Sequence, residues 1–435
     1  MLAALSPLRH RDFALLWSAA LLSNIGSWMQ TVAVGILVTA RTGQPGWTGL
    51  VAAAGFLPIG LLSPIGGVMA DRVDRRSWLF LTTCGETAFA AALAATTWSG
   101  RASPALVTLL VLGGGASAAI GFPAFQAMMP DLVPGAELTA AISLSSAQFN
   151  LGRVVGPALA GVAIVAGGYR LAFFLNALSF LAVLVAVRLV RLPARRGAVD
   201  ATGLWPRLAA GARATVADPP ARFAVALISV VALTASPFIA LVPAMALEVF
   251  HSRSYGTSIL VTAQGIGAVG GALALTPLVA RFGRRRVLIA DLVAVGTFLI
   301  LYGAAPDLWL GTVTLVLVGA SYIGVLAGGN TIVQLYAPAA LRGRMLGIYM
   351  MALGILYPVG ALLQGWLGGW LGLRAVTAGG AVVLLGLVGV GLAAGAFPGR
   401  LDGPDHDRQS AAPPSGRQPG AEGGLETGAA ELPAT

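Results

Sequence analysis

Long apolar runs alternate with short polar breaks along almost the whole chain. A helix that crosses a bilayer needs about 20 predominantly apolar residues. Twelve runs meet this requirement, at residues 13–40, 47–70, 78–99, 104–127, 139–166, 170–190, 222–250, 255–280, 287–305, 308–334, 345–369 and 372–396. The pattern predicts an all-α integral membrane protein with twelve transmembrane helices.

The longest polar break within this hydrophobic body divides the twelve runs into six and six. We therefore predict an N-terminal six-helix bundle over residues 1–190, a cytoplasmic linker over 191–221 and a C-terminal six-helix bundle over 222–397. Residues 398–435 are rich in proline, glycine, alanine and acidic residues. Such a segment buries too little apolar surface to fold, so we predict a disordered tail.

The arginines divide unequally between the two sides of the predicted membrane domain. One set of loops carries 21 arginines, the opposite set carries five, and Arg153 lies inside a span. Loops that stay in the cytoplasm retain positive charge. We therefore predict a multi-pass protein of the cell membrane, inner or plasma, with both termini in the cytoplasm.

Composition supports a lipid environment and changes how the net charge is interpreted. Of 435 residues, 57% are hydrophobic and 10% are charged, whereas a soluble protein has about 25% charged residues. The net charge of +10 comes from 27 arginines without any lysine, and it is largely a topology signal. Because no soluble segment interleaves basic with aromatic residues, we expect no nucleic-acid partner.

The sequence contains few residues that could support enzymatic or metal chemistry. Cys84 is the single cysteine, which excludes an intramolecular disulfide, and His10, His251 and His406 lie far apart. We therefore expect no metal site and no cofactor. HExxH, GxSxG and Walker motifs are absent from the sequence, which argues against an enzyme and against self-powered ATP-driven transport. A separate ATPase subunit stays open.

The two predicted halves resemble each other weakly at constant offsets. The first offset relates three glycines and one arginine, and the second relates two arginines. At an offset of 204 the matches are Gly156–Gly360, Gly161–Gly365, Gly168–Gly372 and Arg170–Arg374, and at 210 Arg75 and Arg76 match Arg285 and Arg286. These matches favour two related halves, an arrangement in which transporters bind substrate between the halves near the midplane.

A charged motif follows the second span. Residues 66–76 read GGVMADRVDRR, and its spaced positions are Gly67, Asp71, Arg72, Arg75 and Arg76. With the twelve spans and the central linker, this motif resembles the signature of the major facilitator superfamily. A glycine of that signature is replaced here by Asp74.

Three further stretches resemble one branch of this superfamily, which contains enterobactin-type exporters and transmembrane secretion effectors. They are SNIGSWMQTVAVGILVTARTG (Ser23–Gly43), NLGRVVGPALAG (Asn150–Gly161) and RGRMLGIY (Arg342–Tyr349). The resemblance implies efflux of siderophores, drugs or other small molecules. The second stretch also resembles an antiporter signature with imperfect spacing, which suggests antiport without establishing it.

The resemblance also implies a network of ion pairs at the motif loop. Asp71 would pair with an arginine at the start of the eleventh span, where Arg342 and Arg344 lie and Arg344 is the better placed. Arg75 or Arg76 would meet Asp131 after the fourth span. We hypothesise that these pairs latch the cytoplasmic side in the outward-open state. The alternative is a solvated basic loop.

Two charged residues lie in the middle of spans, where charge is costly and usually faces a cavity or a partner. Arg153 is a candidate contact for an anionic substrate group or a carboxylate. Glu86 is a candidate proton carrier, because an acid in a low dielectric holds its proton more tightly. A structural Glu86–Arg153 ion pair is the alternative for both residues.

Polar and aromatic residues within the spans are candidates for the wall of a substrate cavity. In the first span Asn24, Ser27, Trp28 and Thr31 share one helical face. The remaining candidates are Gln148, Asn150, Gln264, Tyr322, Asn330, Tyr349, Tyr357 and Gln364. For each candidate of the second half taken alone, a structural role is favoured over contact with a ligand. As a set they suggest a cavity of aromatic and amide groups, suited to an amphiphilic substrate.

Small residues in the fifth span suggest close helix packing. Gly152, Gly156 and Gly161 allow neighbouring helices to approach, and Pro157 is expected to bend the helix. We assign these residues to packing and to rocking between conformations, without contact to a ligand.

Three functions are compatible with these observations. The first is a secondary transporter that exports amphiphilic small molecules in exchange for protons by alternating access, acting as a monomer. The second is a facilitator or importer with the same fold. The third is a non-transporting membrane sensor or assembly protein, which should carry a folded soluble domain. The longest polar segments are the linker and the tail, which disfavours the third.

Overall fold

The computed structural model describes residues 2–191, 204–252, 254–338 and 341–397. The predicted tail and linker residues 192–203 lie outside these ranges. In chain order the α-helices are α1 (Arg11–Thr42), α2 (Pro45–Arg72), α3 (Arg75–Trp98), α4 (Pro104–Met128), α5 (Leu138–Leu189), α6 (Leu204–Ala217), α7 (Pro219–Thr234), α8 (Phe238–Ala244), α9 (Ser254–Phe282), α10 (Arg284–Ala304), α11 (Leu308–Tyr336), α12 (Arg342–Leu371) and α13 (Leu373–Ala393).

The transmembrane helices confirm the predicted fold class. By length and composition, 11 helices in the described ranges can cross a membrane, and the longest of them spans Gly135–Leu189. That helix is interrupted at Gly168, where φ is 72° and ψ is −175°, so it crosses twice. The seventh crossing combines α7, α8 and a π-turn over Met245–Val249. The described chain therefore contains the twelve predicted crossings.

Aspartate side chains cap the N-termini of three of these helices. The carboxylate of Asp74 accepts a hydrogen bond from the Ser77 amide at 2.8 Å and caps α3. Asp218 and Asp307 cap α7 and α11 in the same way. Such caps contribute about 1 kcal/mol each. The Asp74 substitution in the motif therefore has a local purpose, because it satisfies an amide at the start of α3.

The helices pack into two bundles that meet along two pairs of helices. In the first bundle α1 packs on α5, and α4 packs on α2 and α3. In the second, α11 packs on α9 and α10, and α7 on α12. The bundles meet where α2 crosses α12 and where α5 crosses α9. Buried apolar clusters within each bundle form separate cores.

The two bundles contain the same arginine-to-carbonyl contact at corresponding ends. Arg76 donates from Nε to the Val187 carbonyl at 2.8 Å, and Arg285 donates from Nε to the Phe397 carbonyl at 2.7 Å. Each arginine is the second residue of the third helix of its bundle and contacts the end of the sixth. The structure therefore pairs Arg76 with Arg285, one residue away from the match predicted at offset 210. Gly168 and Gly372, matched in the repeat, both have positive φ.

The outer surfaces of both bundles are apolar. Val165, Leu273 and Trp370 are 81%, 76% and 87% exposed. Contiguous apolar surface of this kind is unstable in water and is matched by lipid tails. The exposed pattern therefore agrees with a protein embedded in a bilayer.

The linker contains a helix, α6, that the polar composition of this segment did not predict. α6 packs against the start of α12, where a Cβ on Gly211 would lie 3.2 Å from the Cβ of Arg344. Gly211 and Thr215 are buried on this face, while Trp205 is exposed. The linker therefore contacts the helix that carries two of the motif partners.

Candidate functional site

The motif loop holds α3 against its own bundle. A guanidinium nitrogen of Arg75 lies 3.3 Å from an Asp131 carboxylate oxygen and also donates to the Ala127 carbonyl at 3.0 Å. Of the two arginines considered for Asp131, Arg75 makes the contact, and Arg76 holds the end of α5 instead. The Arg75–Asp131 pair joins elements of one bundle and does not bridge the two bundles.

The predicted pair of Asp71 with Arg344 stays a prediction. The side chain of Asp71 lies outside the described part of the chain, although its backbone belongs to the last turn of α2. Arg342 and Arg344 are exposed at the start of α12, and Arg72 is exposed at the end of α2. A Cβ on Gly67 would meet nothing within 4 Å.

The bundles approach each other most closely away from these arginines. We call the end that carries the α2–α3 turn and the start of α12 the arginine-rich end, and the other the opposite end. A Cβ on Gly60 of α2 would lie 2.7 Å from the backbone of Gly354 on α12, and α5 meets α9 where Gly161 faces Ser258. The Gly60–Gly354 crossing lies at mid-span, and the Gly161–Ser258 contact lies toward the opposite end. A Cβ on Gly365 of α12 would also lie 2.8 Å from the Pro45 carbonyl oxygen at the start of α2. Within the described ranges, the opposite end is therefore closed.

A cavity of about 240 Å³ lies beneath this closed end. Helices α1 to α5 line most of it, and α8, α9 and α12 of the second bundle cover it. Five of its lining side chains are aromatic: Trp28, Phe56, Phe89, Phe180 and Tyr357. Phe56 and Tyr357 come from different bundles and meet edge to face, with ring centroids 5.2 Å apart. Side chains of both bundles therefore line the cavity.

Polar groups line one part of this cavity. They are Ser27, Gln30, Thr31, Thr48, Glu86 and Asn176. The Asn176 amide nitrogen donates to Gln30 Oε1 at 2.8 Å, which fixes an amide pair between α1 and α5. Within the described residues, no basic side chain lies within 4.0 Å of the Glu86 carboxylate. The alternative ion pair of Glu86 with Arg153 is therefore not formed in this conformation.

Arg153 lies at the junction of the bundles and outside the lining of this cavity. Its guanidinium carbon lies 5.7 Å from the centroid of the Trp28 ring. Tyr322 and Tyr357 of the second bundle lie within electrostatic range of the guanidinium. Stacking on an aromatic face stabilises a desolvated cation by up to about 2 kcal/mol. Aromatic rings and phenols therefore surround this charge.

The predicted cavity residues divide into two groups. Ser27, Trp28, Thr31 and Tyr357 line the cavity, together with the proposed proton carrier Glu86. The others lie outside its lining: Asn24, Gln148, Asn150, Arg153, Gln264, Tyr322, Asn330 and Tyr349. Sequence reasoning missed Asn176, although a buried amide within an apolar span is a recognisable signal. It also missed Phe56, Phe89 and Phe180, which nothing distinguishes from packing residues.

Several residues of the second group have structural partners. The Tyr322 hydroxyl lies 2.8 Å from Ser236 Oγ, and the Tyr349 hydroxyl donates to the Leu326 carbonyl at 3.1 Å. Gln364, also named as a candidate, donates from its amide to the carbonyls of Leu233 and Thr234. These bonds tie α7, α11 and α12 together within the second bundle.

Amides make up the rest of the group. Asn150 donates to the Ser146 carbonyl, and Asn330 accepts from Gln334, each within its own helix. The amide nitrogens of Gln148 and Gln264 are buried without a hydrogen-bond partner in the described residues. Asn24 packs against Gly152.

The small residues of α5 pack against α1. A Cβ on Gly152 would lie 2.9 Å from Asn24 Cβ, and one on Gly156 would lie 2.6 Å from Trp28 Cβ. Pro157 is buried inside α5, and the backbone around it stays helical. Because Trp28 lines the cavity and also stacks on Arg153, the glycine at 156 sets where this indole lies.

Comparisons with known proteins agree with this architecture. The model of the transmembrane secretion effector family matches residues 2–399. The chain is 27% identical to the multidrug efflux pump Tap of Mycolicibacterium fortuitum over 86% of this chain and 93% of Tap. It is 29% identical to the enterobactin exporter EntS of Citrobacter koseri, over 88% and 91%. A bacterial homologue of the lysosomal transporter Spinster superposes with a TM-score of 0.72 at 15% identity, over 91% of this chain and 98% of that one.

Proposed function

Because the chain belongs to the transmembrane secretion effector family of major facilitator transporters, we propose that it is a proton-coupled exporter of amphiphilic small molecules. Its family and relatives are transporters and not enzymes. The observation that supports the proposal is the cavity between the bundles, which combines five aromatic side chains with a carboxylate that has no basic partner among the described residues. Two relatives are named as an efflux pump and an exporter, which supports the outward direction.

We place the arginine-rich end in the cytoplasm of the inner membrane, because cytoplasmic loops retain positive charge. The present conformation, closed at the opposite end, is then the one that receives substrate from the cytoplasm. Alternating access requires a second conformation in which the arginine-rich end closes and the opposite end opens. We assign both steps to one monomer, in which the bundles meet along α2–α12 and α5–α9.

Glu86 is the proposed proton carrier. It is the acidic residue among the described lining residues of the cavity, so it can bind and release a proton where the substrate binds. We expect Glu86→Gln to abolish uphill accumulation of fluorescent amphiphiles in inside-out vesicles with an acidic interior, because the side chain can no longer release a proton. Downhill exchange without a pH gradient should continue.

Asp291→Asn is the matched control, since Asp291 is a second acid within a span but lies on α10, outside the cavity lining. It should accumulate amphiphiles like the parent. Collapse of the pH gradient with nigericin should lower the parent to the level of Glu86→Gln. Uphill accumulation by Glu86→Gln at the parent rate would exclude Glu86 as the carrier.

The motif aspartate is proposed to stabilise the outward-facing conformation through Arg344. Exposed ion pairs that are measured in double-mutant cycles contribute about 0.2–1 kcal/mol, so Asp71→Asn should slow transport by about 1.4- to fivefold. Transport rates in vesicles test this, and the exchanged pair Asp71→Arg with Arg344→Asp should restore part of the loss. Unchanged rates in Asp71→Asn would remove the pair from the mechanism.

A further inference from the structure

The charged side chain that lines the cavity is acidic. Among the described residues that line it, Glu86 is the acid and none is Arg, Lys or His. Tyr357 is the other titratable lining group, and it is neutral when protonated. An anion in this cavity would meet an unscreened carboxylate, whereas a cation would find a counter-ion.

The aromatic walls favour the same sign of charge. Ring faces attract cations within about 6 Å, and the attraction is stronger where water is excluded. Phe89 lies one turn after Glu86 on α3, and Phe56 and Tyr357 bring rings from α2 and α12 into the same lining. A carboxylate among several rings matches a positive head group attached to an apolar body.

Arg153 does not reverse this preference. Its guanidinium contacts Trp28 and lies near Tyr322 and Tyr357, but Arg153 is not part of the lining. Its guanidinium carbon lies 5.7 Å from the Trp28 ring centroid, and Trp28, not Arg153, belongs to the lining.

We propose that this cavity binds lipophilic organic cations, with the Glu86 carboxylate as the counter-ion and the surrounding rings as the apolar wall. The substrate class is therefore amphiphilic amines and quaternary ammonium compounds, in preference to carboxylates, catecholates or sulfonates. The proposal rests on the proposed function, because it names which amphiphiles the exporter carries. The Gln30–Asn176 amide pair adds neutral hydrogen-bonding groups beside the head group.

Two probes of matched shape separate charge from size. Benzyltrimethylammonium and benzylsulfonate share a benzyl body and a tetrahedral head, and they differ in the sign of a permanent charge. In equilibrium dialysis with the full chain in detergent, we expect the cation to bind at least tenfold more tightly. Glu86→Gln should weaken cation binding at least tenfold, while Glu86→Asp should preserve the preference.

Asp291→Asn again serves as the control and should bind the cation like the parent. Thermal melting of each variant shows whether it is folded. Phe89→Leu removes an aromatic ring and keeps the Glu86 carboxylate, and it should weaken cation binding. Equal or tighter binding of benzylsulfonate would overturn the proposal, and so would undiminished cation binding by folded Glu86→Gln. Cation binding without transport of any amphiphile would contradict the proposed function and leave the binding site standing.

Discussion

Leucine at Gly60 and leucine at Gly67 are expected to abolish transport for opposite reasons. A Cβ at Gly60 would lie 2.7 Å from the Gly354 carbonyl carbon and 2.8 Å from the Ile355 amide nitrogen. Gly60→Leu therefore destabilises the present conformation, in which the opposite end is closed. Overpacking of this kind costs about 1–3 kcal/mol, which shifts a two-state population by roughly 5–150-fold.

Gly67 faces open space in the present conformation, so its leucine variant should leave this conformation intact. Two helical turns from the Gly60–Gly354 crossing toward the arginine-rich end lead to Gly67 on α2 and to Gly347 on α12, and a Cβ on either would meet nothing within 4 Å. We expect these two glycines to meet when the arginine-rich end closes. Gly67→Leu then traps the conformation described here.

Distances between spin labels at the two ends distinguish the traps. With Cys84 replaced by Ser, one pair at Gln44 and Leu371 reports on the opposite end, and another at Ala136 and Phe282 reports on the arginine-rich end; these four residues are exposed. Gly60→Leu should lengthen the distance between the labels at the opposite end. Gly67→Leu should keep the labels at the arginine-rich end as far apart as they are when that end is open.

Gly386→Leu is the control for these variants, because a Cβ at Gly386 on α13 also meets nothing within 4 Å. It should transport at the parent rate, and its spin-label distances should show both conformations, the one closed at the opposite end and the one closed at the arginine-rich end. Normal transport by Gly67→Leu would show that α2 and α12 do not approach at this position during the cycle.

Alanine at Gly168 is expected to have the second large effect, on stability. The backbone there has φ 72° and ψ −175°, a region open essentially to glycine, and another residue in it costs about 1–3 kcal/mol. The two membrane crossings of α5 join at this residue, so the strain cannot be relieved without moving one of them. The melting temperature in detergent should fall.

Gly379→Ala is the control, and its melting temperature should not fall. Gly379 lies inside α13 with nothing within 4 Å of an added Cβ. Replacement of a glycine within a helix by alanine stabilises by roughly 0.5–1 kcal/mol, so the melting temperature should stay or rise. Equal melting temperatures for Gly168→Ala and the parent would contradict the backbone argument.

At the motif, one side-chain contact could be predicted from the sequence and one backbone contact could not. The charged positions after α2 predicted contacts for Arg75 and Arg76, and the structure assigns Asp131 to Arg75. Arg76 instead holds the end of α5 through backbone carbonyls. Every residue has a carbonyl, so the sequence carries no signal for such a partner.

The sequence by itself determined the number of crossings, their division into two bundles and the repeat between them. Inside a bilayer each helix must satisfy its own backbone hydrogen bonds, so apolar length is a local property that can be counted. The matched pair Gly168 and Gly372 followed from a similar local requirement, since each joins the fifth and sixth crossings of its bundle through a turn with positive φ, which glycine permits.

Only the tertiary structure decided which polar groups share a cavity. Gln30, Glu86 and Asn176 come from three different helices, and their meeting depends on how α1, α3 and α5 rotate against one another. Apolar residues surround these helices on all sides, so periodicity does not reveal which face points inward. Close packing through glycines sets that rotation, and it separates Glu86 from Arg153, which the sequence left as possible partners.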